Sequence, residues 1–426
     1  MKGTTGIAIL LAACGVAREP VAVEPRADTS PSPGDFVVVG AVVFDGERFR
    51  EGAVHVAHGR VVGIVDAPPP GVEIVRVPGH TLLPGLIDGH VHIGERVEHL
   101  ERALSFGITT MVDLFGPPAL PAQLRAEDLD APGLRRAALF GVGNLATAPG
   151  GHGTEYGIPI PTLEAPHEAE AFVRARIAEG SSALKIVLDS SVADVGGAPS
   201  PMPTLSIETV GALVAAARAR ELPVVVHTGG CEDIRRVLPL RPDVVAHGCA
   251  IPEGDPLPAL LAASGAYLNP TLAVQLRPCG MEYWIELVRD PELARRLTDE
   301  ERERLGADRG DHDRTCSEGR LRLVGESARA GVRLIAGPDS PNRRLPIGAS
   351  LLAEIELLRL AGATTEQALA AATSSPADAF RLLDRGRIAP GRRADLLLVE
   401  GDLRATPSAI ARTRAVWKAG QRVVGP

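Results

Sequence analysis

"LLPGLIDGHVH", residues 82–92, is a short apolar run that ends in two histidines one residue apart. Its length, its leucine, isoleucine and valine content and its bounding Pro and Gly read as a buried strand. Residues i and i+2 of a strand face the same side, so His90 and His92 point the same way. Seven further apolar runs follow at 108–114, 135–141, 183–189, 223–229, 243–248, 266–272 and 332–340. Helical patterns lie between most of them, as in "HEAEAFVRARIAEG" (167–180) and "SIETVGALVAAARARE" (206–221). Eight strands alternating with helices predict an α/β fold, a parallel (β/α)8 TIM barrel. A doubly wound sheet is the alternative, but no glycine-rich dinucleotide fingerprint follows the first run.

Outside residues 83–385, both ends read differently. Short β-like runs separated by Gly and Pro fill 35–82 and 386–426, and together they predict a small β-sandwich domain built from both chain ends. Residues 273–330 are long for one connection and rich in charge and helix formers, which predicts an inserted helical lid near the mouth of the barrel. "LAAC" at 11–14 follows a short apolar stretch and resembles the lipobox of bacterial lipoproteins, with Cys14 as the lipidated residue. That stretch is too short to span a bilayer. Residues 15–34, rich in Pro, Ser, Ala and charge, suit a flexible tether. The expectation is a protein anchored by acyl chains on the periplasmic side of a bacterial envelope, at the outer membrane. Cys231, Cys249, Cys279 and Cys316 are then free to pair, with connectivity left open and no CxxC spacing to suggest a cysteine metal site.

A net charge of −8 gives no basic footprint for nucleic acid, and 3% aromatic residues make a stacking platform for bases implausible. The chemistry-bearing residues instead gather at the C-terminal ends of the predicted strands, where barrel enzymes place their sites. His90 and His92 end the first, Lys185 lies in the fourth, His227 ends the fifth, His247 the sixth and Asp339 the eighth. Imidazole and carboxylate suit zinc and also manganese, iron, cobalt or nickel. Each residue alone has a plainer reading: a hydrogen-bonded rim histidine, an aspartate capping a turn, or a Lys185 paired with Asp189 or Asp113. Their joint placement favours a metal centre. His55, His58, His80, His99, His167 and His312 fall away from strand ends and read as surface or packing residues.

Across residues 36–425 the chain is similar to the metal-dependent amidohydrolase superfamily. The resemblance rests on "PGLIDGHVHI" (84–93), "ALKIVLD" (183–189), "VVVHTGG" (224–230), "VVAHGCA" (244–250), "IAGPDS" (335–340) and "GRIAPGRRADLLLVEGD" (386–402), in that order. It most resembles the branch with two metals and a carboxylated lysine, which includes Xaa-Pro dipeptidases, Arg/Lys carboxypeptidase-like enzymes, ochratoxinase-like amidases and phenylurea hydrolases. The resemblance implies two divalent metal ions, zinc foremost. His90, His92 and Asp339 would hold one and His227 and His247 the other, with Lys185 bridging both as a carbamate. It implies attack of a metal-bridging hydroxide on an amide or peptide carbonyl, with Asp339 moving the proton. His152, in the glycine-rich "APGGHGTEYG" (148–157), would bind substrate or polarise its carbonyl, with Tyr156 and Asn269 as further pocket residues. Arg343 and Arg344 could meet a substrate carboxylate but read more simply as solvated lid charges.

Lysine is scarce here. Lys2, Lys185 and Lys418 are the three among 45 basic residues, so an arginine at 185 would be the default. Burial depresses a lysine pKa and frees the neutral amine that attacks carbon dioxide, a path closed to guanidinium. The expected substrate is a small amide or peptide, such as an N-acyl amino acid or a prolidase- or carboxypeptidase-type dipeptide. Membrane contact is expected only through the lipid anchor, and a homo-oligomer stays open. A mononuclear deaminase or cyclic-amide hydrolase is the competing reading. Such enzymes often carry a Glu three residues after the fifth-strand histidine, where this chain has Gly230. A catalytically inactive binding lipoprotein is the third reading, and the complete ligand set argues against it.

Overall fold

The computed structural model describes residues 34–131, 133–189, 191–192, 200–276, 279, 290–306, 314–342 and 345–425. Ser32–Pro426 forms one compact unit. The run at 82–92 is not one strand. It divides at Gly85 into His80–Pro84, which joins a mixed sheet, and Leu86–Val91, which joins a parallel one. The break has a steric cause: a Cβ at Gly85 would lie 2.3 Å from Thr109 Oγ1. The Gly85 N–H leaves the strand ladder and donates to the Asp395 carbonyl at 2.8 Å.

The parallel strands are Leu86–Val91, Ile108–Asp113 and Ala138–Gly141 in one ladder, and Leu184–Leu188, Val224–Thr228, Val244–Ala246 and Tyr267–Asn269 in another. Every residue of the first two is buried, as expected of parallel strands covered on both faces. Parallel bridges at Ala146–Ile186, Leu268–Leu334 and Val91–Ser340 link the segments between and beyond these ladders. The eighth expected strand, 332–340, pairs only at Leu334 and Ser340. Pro338 has no N–H for a ladder. A Cβ at Gly337 would approach His90 N to 2.5 Å, and Asp339 sits at φ 64, so regular pairing cannot continue through this stretch.

The covering helices follow apolar spacing. Ile207–Arg218 buries Val210, Leu213, Val214 and Ala217, and the Ser206 side chain caps it by accepting from Thr209 N at 3.1 Å. Within the expected lid, Arg314–Arg329 is a crossover helix that buries Leu323, Val324 and Ala328 against helices Leu257–Ser264 and Ala349–Leu360. Residues 290–306 dock toward the C-terminal end through Arg414–Glu292 at 3.1 Å and Arg296 to the Thr413 carbonyl at 3.1 Å, and toward helix Glu98–Leu104 through Arg102–Glu301 at 2.5 Å. Residues 277–278, 280–289 and 307–313 of the expected lid lie outside the described residues, as do Arg343, Arg344 and residues 1–33 with Cys14.

The chain ends form a four-stranded and a six-stranded sheet. Val38, Val54, Leu82, Leu396 and Trp417 share one core between them, and Phe36 stacks on Trp417 with ring centroids 5.7 Å apart. The third lysine is structural. Lys418 is fully buried, donates to the Arg136 carbonyl at 2.6 Å and lies 3.4 Å from Asp128 Oδ1.

Candidate metal centre

The sequence-expected ligands converge. Donor atoms of His90, His247 and Asp339 lie within 4.8 Å of one another. The His90 ring is 5.2 Å from both His92 and His247, and His247 is 4.2 Å from His227, centroid to centroid. Asp339 Oδ1 is 2.9 Å from His92 Nε2 and 3.5 Å from His90 Nε2. His247 therefore sits between the two expected ligand groups rather than only beside His227.

Backbone strain aims two of these ligands. His247 and Asp339 adopt left-handed φ values of 72 and 64, and Thr271 nearby adopts 48. Such conformations cost about 1–3 kcal/mol each and persist where surrounding bonds over-determine them. Here His247 N donates to the Asn269 carbonyl at 2.9 Å, Gly248 N to the Pro270 carbonyl at 3.1 Å, and Asp339 N to the His90 carbonyl at 3.0 Å.

Each histidine has one ring nitrogen engaged by the protein. Asn269 donates its amide to the carbonyls of Ile335 and Gly337, at 3.1 and 3.0 Å, which fixes which end is the oxygen. His90 Nδ1–H then donates to Asn269 Oδ1 at 2.7 Å, leaving the Nε2 lone pair facing the site. His247 Nδ1 is 3.0 Å from Thr271 Oγ1, and His227 Nε2 is 3.1 Å from Asp189 Oδ2. Asp113 accepts from Ile93 N and Phe115 N at 3.2 and 2.9 Å and lies 4.0 Å from His92 Nδ1. Asn269, Thr271 and Asp189 are thus partners of the kind that orient imidazole ligands in metal sites, while Asp113 stands beyond hydrogen-bond reach of His92. Burial pulls His227 down to about 4 against Asp189, and burial with neighbouring cations pulls His90 and His247 well below 6.5. All three rings are thus neutral and able to ligate.

Lys185 is 2% exposed, and its Nζ has no hydrogen-bond partner. His90 Nε2 and His92 Nδ1 are orphaned in the same way. Asp189 and Asp113, the plain partners considered for Lys185, are turned to His227 and His92 instead. Burial pulls the Lys185 ammonium down to about 8, opposed only by Asp339. Unpaired buried polar atoms on this scale need an explanation, and a missing cationic and anionic complement fits the donor set.

His152 Nδ1 lies 2.6 Å from Glu155 Oε1, and its ring is 4.8 Å from that of His227. Tyr156 is 57% exposed, with its ring 5.9 Å from His152 and 6.0 Å from Phe115. Asn269 departs from expectation: it is buried behind His90 with both ends of its amide engaged, so it positions a ligand rather than touching substrate. Thr271 and Glu354 were not expected. Glu354 accepts from Leu272 N and Ala273 N at 2.8 and 2.7 Å, and burial pushes it up to about 8. Its signal was a carboxylate within the apolar helix Ala349–Leu360. Cysteine pairing, left open by sequence, is Cys231–Cys249 and Cys279–Cys316.

The chain is 35% identical over 119 residues to an N-acyl-D-aspartate deacylase of Alcaligenes xylosoxydans xylosoxydans, covering 22% of this chain and 24% of that one. It thus spans about a quarter of the length of the curated relative it matches. A Xaa-Pro dipeptidase structure with bound methionine superposes with a TM-score of 0.71 at 21% identity, over 91% of this chain and 99% of that one. The A. niger ochratoxinase gives 0.70 at 18%, over 92% and 96%. At these identities the likeness shows a shared fold. The Amidohydrolase family profile matches residues 81–423, so the chain belongs to the amidohydrolase family.

Proposed function

We propose that this protein hydrolyses a carbon–nitrogen bond of a small amide, an N-acyl amino acid or an Xaa-Pro or Xaa-Arg dipeptide, at two divalent cations, zinc foremost. His90, His92, His227, His247 and Asp339 would hold them, with Lys185 bridging as a carbamate. The observation that carries this reading is the buried, unpartnered Lys185 Nζ, which bears electrostatically on all five of those side chains. An ammonium there repels cations, whereas a carbamate supplies two anionic oxygens. The parallel bridges at Ala146, Leu334 and Ser340 support closure of the strands into a (β/α)8 barrel, and the shared core of the terminal sheets supports a β-sandwich.

When bound, the cations polarise the scissile carbonyl and acidify water. The Asp339 carboxylate, which burial would raise but neighbouring His90, His92 and Lys185 hold well below the usual range, is ionised and accepts the proton that the attacking water loses. It then delivers that proton to the leaving nitrogen. Glu155 accepts from His152 Nδ1–H, and a ring protonated on both nitrogens would direct Nε2–H to the substrate carbonyl oxygen. The deacylase relative and the dipeptidase and ochratoxinase neighbours support the substrate class. The test is cation content together with turnover of N-acyl amino acids and Xaa-Pro and Xaa-Arg dipeptides. Two equivalents per chain with turnover are expected; one equivalent would favour a mononuclear deaminase, and none a binding protein.

A further inference from the structure

We propose that the Cys231–Cys249 disulfide is a positioning element of the metal centre, whose reduction releases one of the two cations. The inference rests on the two-cation reading above. The bridge joins two short segments that each leave a candidate ligand. Cys231 opens helix Cys231–Val237, reached from His227 through Thr228, Gly229 and Gly230. Cys249 stands two residues after His247, beyond Gly248.

Gly229 is fixed, with its N–H donating to the Leu188 carbonyl at 3.3 Å and a Cβ there lying 2.1 Å from Asp189 Oδ1, whereas Gly230 is extended with open space about its Cα, so the chain after His227 gains conformational freedom at Gly230. On the other side, His247 is held at a left-handed φ of 72 by the His247 and Gly248 N–H bonds to the Asn269 and Pro270 carbonyls, and Cys249 follows directly. Strand pairing reaches His227–Ala246 and ends there. The Thr228 hydroxyl, donating to the Ala246 carbonyl at 3.1 Å, is the next tie between the two segments beyond the ladder, and the disulfide, with its Cα atoms 5.3 Å apart, is the covalent one after it. The rings of His227 and His247 are 4.2 Å apart at that mouth. Cys279–Cys316 lies elsewhere, between the chain after Gln275 and helix Arg314–Arg329, and serves as the internal control. The bridge therefore adds a covalent tie across the gap between His227 and His247, whereas His90, His92 and Asp339 lie outside the two segments it joins.

Reduction breaks the S–S bond and adds two electrons and two protons to give two thiols. With a phosphine such as TCEP, the phosphine is oxidised to its oxide and water supplies the oxygen and the protons. Cys231 is partly exposed and gives the reductant access.

The test uses the full zinc-loaded chain with Cys279→Ser and Cys316→Ser, before and after TCEP, beside a folded Cys231→Ser, Cys249→Ser variant. Zinc per chain is read by mass spectrometry after gel filtration, with far-UV circular dichroism as the check on fold. Expected is a fall from two equivalents to one with unchanged dichroism, and affinity for the lost cation lower by about 10–100-fold, as for other outer-shell supports. Loss of both cations together with loss of dichroism would make the bridge a general staple and overturn the proposal. Retention of both at unchanged affinity in the reduced protein would also overturn it. An oxidised protein holding fewer than two cations would overturn the two-cation reading itself, and this inference with it.

Discussion

His90 Nδ1 and Asn269 Oδ1 meet at 2.7 Å, across 179 residues of sequence. Because Asn269 also donates to two carbonyls, its oxygen cannot turn away, and His90 is held with Nε2 toward the centre. Asn269→Ala should weaken cation binding by about 10–100-fold, read by competition with a chromogenic chelator. Unchanged binding would show that the strand alone orients His90.

Lys185 should trade stability for function. Lys185→Ala is expected to lose bound cation and most turnover, short carboxylic acids should restore part of both, and Lys185→Arg should not. In the metal-free protein the buried amine is destabilising: its pKa falls from 10.5 to about 8, so the unfolded chain holds the proton more tightly. That penalty, about 3 kcal/mol, is present below pH 8 and fades as pH rises toward 10.5. Lys185→Met should therefore raise the urea midpoint of metal-free protein at pH 7.

His227 sets an acid limit on the metal-free fold. Burial lowers it from 6.5 to about 4, so the unfolded state binds more protons in that window and stability is lost as pH falls from 6.5 to 4. Asp113, raised by burial to about 6, acts with the opposite sign. The measurement is thus the difference between wild type and His227→Asn in urea unfolding across pH 4–7. The variant should show the shallower acid loss.

His152 faces the site with Nδ1 engaged by Glu155. His152→Ala should lower kcat by about 10²–10³-fold with little change in KM if it serves the developing charge on the carbonyl oxygen. Glu155→Gln should cost less. An effect confined to KM would assign His152 to ground-state binding.

The lipobox reading of residues 11–14 predicts that Cys14→Ala moves the protein from the membrane to the soluble fraction. Metabolic labelling with a fatty acid, followed by fractionation, reads the outcome. An unlabelled, soluble wild type would remove the anchor from the account.

The candidate ligand positions are legible because most are local events: an apolar run, then a polar residue at its C-terminal end. His90, His92, His227 and His247 follow that rule, Asp339 follows it even though 332–340 pairs only through isolated bridges, and Lys185, second in Leu184–Leu188, stands out as a lone lysine inside an apolar run. What orients them was not legible. Asn269, Thr271 and Asp189 reach their histidines from other strands and loops, and no periodicity encodes those meetings. The break at Gly85 was hidden for a related reason, since the crowding that requires glycine comes from Thr109 on a neighbouring strand.

Gly85 alone separates the terminal sheet from the strand that carries His90. The preceding strand, His80–Pro84, pairs with Leu396–Glu400, which leaves the ribosome more than 300 residues later. A chain clipped before Leu396 would keep His90 and His92 but lose one of the two strands that flank His80–Pro84, leaving Val42–Phe44 as its remaining neighbour.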